Sequence, residues 1–532
     1  MSRFIQVRRS SYWTWSVLIT IFYGAFHTDI SDAQTALLPP SPAFHQQGPL
    51  GDLERDLTDI FNDPRFSNAI WGVCIQSVET GDYLFRLNDS KSLLPASNFK
   101  LFTAAEALSL LGPNYRYTTQ LLTSVRISDG VLRGDLIIRG AGDPTLGSQL
   151  MFPDSSPTFV FDAWADSLRK HGITRIDGSI IGDDSYYTQD IYPIGWSIED
   201  IPYYYAMQTT ALAFDENQVA VSVSPGLSQG SAVRYELNPN TDYVTVDNRG
   251  ITRQDSIILR RRHQADSVIA TGATSIYISR DIGTNSIAIR GEIPLSAPVT
   301  SEQISVENPT LYAAAAFREA LEERSIIITG KTLTAPELTK PIPYLKARTL
   351  ASYVSPALSD IVAIMNKHSD NLYAEELFRT AAKEIGGEGS WKRGTEVMKK
   401  YLASIDLDTA QLSVYDGSGL SRMDLVSARQ MVGLLRAIHS KPKLFSAFYP
   451  SLSIMGVDGT LSSRLKGTDA EGNVRAKTGF VTGVRSISGY LTTRDGEMLA
   501  FSIIGNNFTV PVSQANNLQD LVLLRLVNFS RK

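Results

Sequence analysis

Ser97 and Lys100 stand three residues apart, one helical turn, in the stretch ASNFKLFTAAEALSLLG from Ala96 to Gly112. A serine hydroxyl is a weak nucleophile until a base takes its proton, and a lysine one turn along can be that base if its ammonium is made less basic. Burial and a second nearby cation both act in that direction. The pattern S-x-x-K is common by itself, and this chain repeats it at Ser167–Lys170, Ser440–Lys443 and Ser463–Lys466. Context separates them. Leu101, Ala104, Ala105, Leu108 and Leu111 recur at helical spacing behind Ser97, with Pro95 ahead and Gly112-Pro113 as the stop, which predicts one buried helix from about Ser97. The other three copies close a polar helix end, contain Pro442, or run into Gly467.

Two later stretches supply partners. His368-Ser369-Asp370-Asn371 lies between the apolar run Ile361–Met365 and Leu372, Ala374 and Leu377. There Ser369 offers a hydroxyl to pass a proton and Asn371 an amide to hold a carbonyl, although such a tripeptide also reads as a helix-start cap. Lys477-Thr478-Gly479-Phe480 reads as part of a late strand. A lysine, a threonine hydroxyl and a glycine that permits close approach suit an extended peptide ending in a carboxylate.

The elements that must position these residues come from both ends of the chain. Leu53–Asn62 is predicted as a helix, followed by strands at 69–77 and 83–88 joined by Glu79-Thr80-Gly81-Asp82. From Tyr115 short β runs with Gly/Asp turns dominate, at 118–126, 131–139, 179–182, 218–224, 243–247, 256–261, 275–279 and 286–290, relieved by helices at 159–171 and 311–323. Helical pattern returns at 358–382, 391–404 and 427–439, and the chain closes with strands at 486–492 and 498–504 and a helix at 516–527. Two ends of one texture flank a middle of another, so the expected architecture is an α/β catalytic domain interrupted by a β-rich insert of one or two domains. The boundaries are 34–114 and 347–532 for the catalytic domain and 115–346 for the insert.

At 532 residues, 43% hydrophobic and 20% charged, the chain has ordinary globular composition for two or three domains. A net charge of −5, with no Lys/Arg run interleaved with aromatics, argues against nucleic acid. Arg3, Arg8 and Arg9, the apolar run Trp13–Phe26 and the small-residue ending Ser31-Asp32-Ala33 have the order of a secretory signal occupying residues 1–33, cleaved before Gln34. The apolar run falls short of the roughly 20 residues needed to span hydrocarbon. Cys74 is the only cysteine, which excludes an intrachain disulfide, and its apolar neighbours mark it as a buried strand residue. The six histidines form no H-x-x-x-H pair, so no metal is expected.

The conjunction S-x-x-K, then S-D-N, then K-T-G, in that order, resembles the penicillin-recognising serine enzymes. Ser97 and Ser369 are 272 residues apart (369 − 97), whereas Ser369 and Lys477 are 108 apart (477 − 369). The large first gap is similar to that of the low-molecular-mass class C penicillin-binding proteins, the D-alanyl-D-alanine carboxypeptidase/endopeptidase family, whose insert lies there. Arg139–Leu146, Gly182–Ser185, Gly195-Trp196, Asp215-Glu216-Asn217, Asp416–Arg422 and Gly459-Thr460-Leu461 look like that family too, so the resemblance runs from about Leu53 to Val527.

The resemblance implies a β-lactamase/transpeptidase-like fold and an acyl-enzyme mechanism needing no cofactor. In it Ser97 attacks the carbonyl between two D-alanines, Lys100 accepts its proton and Ser369 relays a proton to the leaving amine. Asn371 positions the substrate amide, Lys477 keeps Lys100 less basic and attracts the terminal carboxylate, Thr478 binds that carboxylate, and Gly479 sits beside it. The oxyanion is held by the N–H groups of Ser97 and Phe480. A pocket for diaminopimelate is implied near Asp183, Arg422 and Thr482. Phe480 departs from the family's usual Ser or Thr, which removes one hydroxyl contact to the carboxylate. The implied partners are peptidoglycan stem peptides, ending in D-Ala-D-Ala or cross-linked through D-Ala, and β-lactams. The implied location is the periplasm or outer side of a bacterial envelope, where peripheral contact with membrane or wall is compatible with the sequence. A serine β-lactamase or esterase of the same superfamily is disfavoured because no E-x-x-L-N follows Ser369-Asp370-Asn371. A non-catalytic envelope-binding protein is disfavoured by the intact Ser97, Lys100, Ser369 and Lys477.

Overall fold

A computed structural model describes residues 48–255 and 274–532, and within 256–273 only the backbone pairing of strands 257–262 and 265–270. The secretory signal expected at 1–33 therefore lies outside the described residues.

Strands β1 (Ile70–Ser77) and β2 (Tyr83–Leu87) form a hairpin whose turn contains Gly81 at φ 80°, a conformation that glycine adopts without a Cβ clash. Their sheet is completed from the far end of the chain by β3 (Ser453–Ile454), β4 (Arg475–Val481), β5 (Val484–Thr492) and β6 (Met498–Asn506). The order is β2-β1-β6-β5-β4-β3, antiparallel throughout.

Alternation along the strands sorts side chains to two faces. Cys74 and Ile504 enter a core with helices α2 (Lys100–Leu110), α3 (Leu358–His368), α4 (Asn371–Gly386), α5 (Trp391–Ala403) and α6 (Ala428–His439). Val73, Ile75, Ile487 and Ile503 enter the opposite core under α1 (Pro49–Phe61) and α7 (Val512–Val527). Cover on both faces explains why seven of eight β1 residues are buried. Cys74 is completely buried there and its thiol is pushed up to about 12 by burial, so it is inert as a nucleophile.

The middle of the chain builds its own sheets around a separate core containing Phe161, Trp164, Phe214 and Phe317. Among the described residues no strand between 115 and 346 joins the six-stranded sheet. Strand 348–354, expected within the second catalytic segment, instead pairs antiparallel with 118–123 and is the edge of a five-stranded insert sheet. By this pairing the strand belongs to a sheet of the middle segment. The mixed pattern of 348–354, Arg-Thr-Leu-Ala-Ser-Tyr-Val, gave no mark of which sheet it would join.

The expected single helical run at 358–382 is two helices. Ser369 ends α3 in the left-handed conformation (φ 62°), and Asp370 starts α4 by accepting from Tyr373 N at 2.9 Å. The cap is thus Asp370, which leaves Ser369 and Asn371 on either side to border a cavity.

Below this joint, both carboxyl oxygens of Glu376 are buried without a hydrogen-bond partner, and burial pushes the acid up to about 8. A carboxyl whose folded pKa is raised takes up a proton on folding, so its penalty grows by about 1.4 kcal/mol per pH unit as pH rises from the ordinary 4.5 toward 8. Glu376→Gln, which copies the neutral acid, is expected to raise the melting temperature at pH 8 far more than at pH 5. Calorimetry at the two pH values measures this, and equal shifts would refute it.

Candidate active site

Ser97 sits in a turn clamped from two sides. A 3-10 turn, Ala96–Phe99, leads directly into α2, and Ala96 before the serine has φ 48°, unusual for a residue with a Cβ and typical of strained functional turns. Ser486 Oγ donates to Pro95 O at 2.5 Å, and Asn98 Nδ2 donates to Lys477 O at 3.0 Å. A Cβ on Gly479 would come within 2.6 Å of Pro95 O and 3.0 Å of Asn98 N, so only glycine lets β4 pass this close to the turn.

Lys100 is completely buried, and its Nζ donates to Ser97 Oγ at 3.0 Å, Asn371 Oδ1 at 2.5 Å and the Ser418 carbonyl at 2.9 Å. Neutral lysine keeps two N–H bonds and one lone pair. Asn371 Oδ1 and the Ser418 carbonyl can only accept, so they retain the two N–H groups and the lone pair is aimed at the Ser97 hydroxyl. Burial pushes Lys100 down to about 8, against the opposing pull of Asp416, Asp370 and Glu375. A base poised one unit above neutrality follows.

Lys477, also buried, donates to Ser369 Oγ at 2.7 Å and Thr478 O at 2.8 Å. Burial first, then the charges of Lys100 and Arg485, hold it well below the usual lysine range. Burial is the largest cause of the lowered basicity of both lysines, and the mutual repulsion of two buried cations adds to it, while Asp416, Asp370 and Glu375 support the Lys100 charge.

Ser97, Ser369, Asn371, Thr478, Phe480, Thr482 and Arg422 all line one cavity of about 1140 Å³. Thr478 Oγ1 donates to Thr460 Oγ1 at 2.9 Å, and Arg422 Nη1 donates to the Thr482 carbonyl at 3.1 Å. Lys100, Lys477 and Gly479 are buried behind this wall, in contact with its residues, whereas Asp183 lies in different surroundings. It is buried in strand 180–183, accepts from the Tyr344 hydroxyl and from Ser185 N at 3.0 Å, and is not part of the cavity wall. Three acids border the cavity with Arg422, namely Asp200, Glu216 and Asp370, and of these Asp200 accepts from the Tyr205 hydroxyl at 3.0 Å.

Other contributors carry no motif. The Tyr205 carbonyl accepts from Asn371 Nδ2 at 2.6 Å, which fixes the amide with its oxygen toward Lys100. Glu375 accepts from Gly417 N at 3.0 Å, Ser418 N at 2.8 Å and Trp391 Nε1 at 2.7 Å. Asp416 accepts from Gly419 N at 2.6 Å, Ser421 N at 2.7 Å and Trp196 Nε1 at 2.8 Å. Together these two carboxylates hold the loop whose Ser418 carbonyl meets Lys100. Asp416–Arg422 and Gly195-Trp196 were visible in the sequence as family-like stretches, but their role as a brace was not.

A serine beside a buried lysine of depressed basicity, a second lysine–serine pair, and an open strand edge make up machinery for transferring an acyl group from a peptide to water. Comparison with known proteins agrees. Residues 53–525 match the D-Ala-D-Ala carboxypeptidase 3 (S13) family. The chain is 34% identical over 510 residues to a D-alanyl-D-alanine carboxypeptidase of Actinomadura sp. (strain R39), covering 93% of this chain and 88% of that one. It is 27% identical to the D-alanyl-D-alanine carboxypeptidase DacB of Haemophilus influenzae, covering 84% and 87%. The crystal structure of penicillin binding protein 4 (dacB) from Haemophilus influenzae superposes with a TM-score of 0.72 at 24% identity, covering 88% of this chain and 98% of that one, which shows a shared fold. The chain belongs to the D-Ala-D-Ala carboxypeptidase 3 (S13) family, and it is a serine-type hydrolase of that class.

Proposed function

We propose that this enzyme removes or opens D-alanine linkages of peptidoglycan stem peptides with Ser97 as the nucleophile and Lys100 as its base. The contact from Lys100 Nζ to Ser97 Oγ, 3.0 Å in a site where the lysine has only acceptors for its other two N–H groups, carries the reading. Attack breaks the peptide bond and leaves the acyl group on Ser97 Oγ. The leaving amine takes a proton through Ser369, whose hydroxyl is coupled to Lys477 at 2.7 Å. Asn371 aligns the substrate amide, and the N–H groups of Ser97 and Phe480, both on the cavity wall, receive the oxyanion. Water then releases the acyl group.

The third stem residue fits between Asp200 and Arg422, where an ammonium meets the carboxylate and a carboxylate meets the guanidinium. Residues 115 to about 355 act as inserted domains that supply Asp200, the Tyr205 carbonyl and Trp196 to this site. Export by the N-terminal segment, to the periplasm or outer face of an envelope, fits a polymeric wall substrate. No helix of the described residues is long and apolar enough to cross a membrane.

The test is acylation by benzylpenicillin followed by digestion and mass spectrometry. One added penicilloyl group on the peptide containing Ser97 is expected, and an adduct elsewhere, or none, would refute the assignment.

A further inference from the structure

Phe480 removes a hydroxyl from the strand where the terminal carboxylate docks, and the side chain is 53% exposed at the cavity wall. Directly across the sheet from it stands Arg485 of β5. Residues paired in this way project to one side of a sheet, and Arg485 borders the same cavity as Ser97, Thr478 and Thr482.

The guanidinium is held but not neutralised. Its Nε donates to Asn516 Oδ1 at 2.6 Å, which anchors it to α7, while Nη1 has only the distant Gly479 carbonyl at 3.4 Å. Nη2 has no acceptor among the described residues. The neighbouring acid, Asp520, is taken by Arg464 at 2.6 Å. Burial first, then Arg464, lower Arg485 to about 10, so it stays cationic at neutral pH. A partly buried guanidinium with open N–H groups and no counter-ion is stabilised by an arriving anion, and a carboxylate is the planar partner it fits.

We propose that Arg485 binds the terminal carboxylate of the substrate, replacing the hydroxyl that Phe480 lacks. The side chain is held in place by Asn516, and Arg485 borders the cavity together with Thr478. This rests on the D-Ala-D-Ala reading above, because it is the carboxylate beyond the scissile bond that is bound.

The experiment compares two thioesters that differ only in that charge, an N-acyl-D-alanyl thioglycolate and its methyl ester, on wild type, Arg485→Gln, Arg485→Lys and the double variant Phe480→Thr/Arg485→Gln. For Arg485→Gln, kcat/KM on the thioglycolate is expected to fall about 10- to 100-fold, chiefly through KM, the size of a lost charge-assisted hydrogen bond. The methyl ester rate should fall by a clearly smaller factor, because Arg485 reaches that reaction only through its charge near Lys477. Arg485→Lys should fall between. Phe480→Thr added to Arg485→Gln should restore part of the loss on the thioglycolate alone. Equal losses on both thioesters, or none on either, would overturn the assignment while leaving the wild-type activity in place. A wild type that hydrolyses neither would overturn it together with the functional reading.

Discussion

Lys100→Met is expected to lower the rate of acylation by benzylpenicillin by about 10³-fold or more while the protein stays folded, the scale of losing a nucleophile-activating base. Methionine suits the first turn of α2 and nearly fills the lysine's volume. Removing a buried ammonium also removes its desolvation penalty, which offsets the loss of its bonds to Asn371 Oδ1 and the Ser418 carbonyl. Thermal unfolding is therefore expected to move by only a few degrees. The two measurements separate two roles. Near-normal acylation in a folded Lys100→Met protein would remove Lys100 as the base. A collapse of the melting temperature with residual activity would make it a structural cation.

Why Ser97 was legible among four S-x-x-K copies is a matter of local physics. Ser97 and Lys100, the proposed nucleophile and base, lie within one helical turn, and the apolar spacing of Leu101, Ala104 and Leu108 marks the helix as buried, as it is. The two sheet faces were not legible in this way, because cover on both sides leaves β1 and β6 as nearly continuous buried runs with no alternation to sort. Ser369 was found as part of a motif, but the break it makes was not. A non-glycine residue in the left-handed conformation leaves no sign in the sequence, and Asp370 restarts the helix so promptly that 358–382 reads as one run.

What escaped the sequence is what depends on long-range contact. Glu375 lies one turn beyond Asn371 and looks like any helical glutamate, yet it organises backbone N–H groups 42 and 43 residues away. The carbonyls of Ser418 and Tyr205 belong to no side-chain pattern at all. Asp183 and Asp200 are both acids in the insert, and only the fold shows that the first is turned toward Tyr344 and the second toward the cavity. Choosing between them needed the path of the chain from strand 180–183 to the rim, which no local spacing encodes.

The division of protons between the two lysines sets how the enzyme responds to pH. In the mechanism proposed above, attack requires Lys100 in its neutral form, and burial holds it at about 8, so below that value the reactive fraction rises nearly tenfold per pH unit and levels off above it. Acylation by a neutral ester is expected to increase about 50-fold from pH 6 to pH 8, a rising limb with its midpoint near the Lys100 value. Burial, then the facing charges of Lys100 and Arg485, disfavour the Lys477 cation, and we propose that it is the neutral member of the pair. Lys477→Gln should then reduce the rate, through the lost contact to Ser369 Oγ, and leave the midpoint of the limb where it was. If Lys477 were instead the charged member of the pair, its removal would relieve repulsion on Lys100, raise that pKa and move the whole limb to more alkaline pH. Acylation rates of the two proteins from pH 5.5 to 9.5, read for midpoint and not for amplitude, decide which. An alkaline shift of a full unit in Lys477→Gln would show that the charge on Lys477, and not burial alone, keeps Lys100 ready to accept the Ser97 proton.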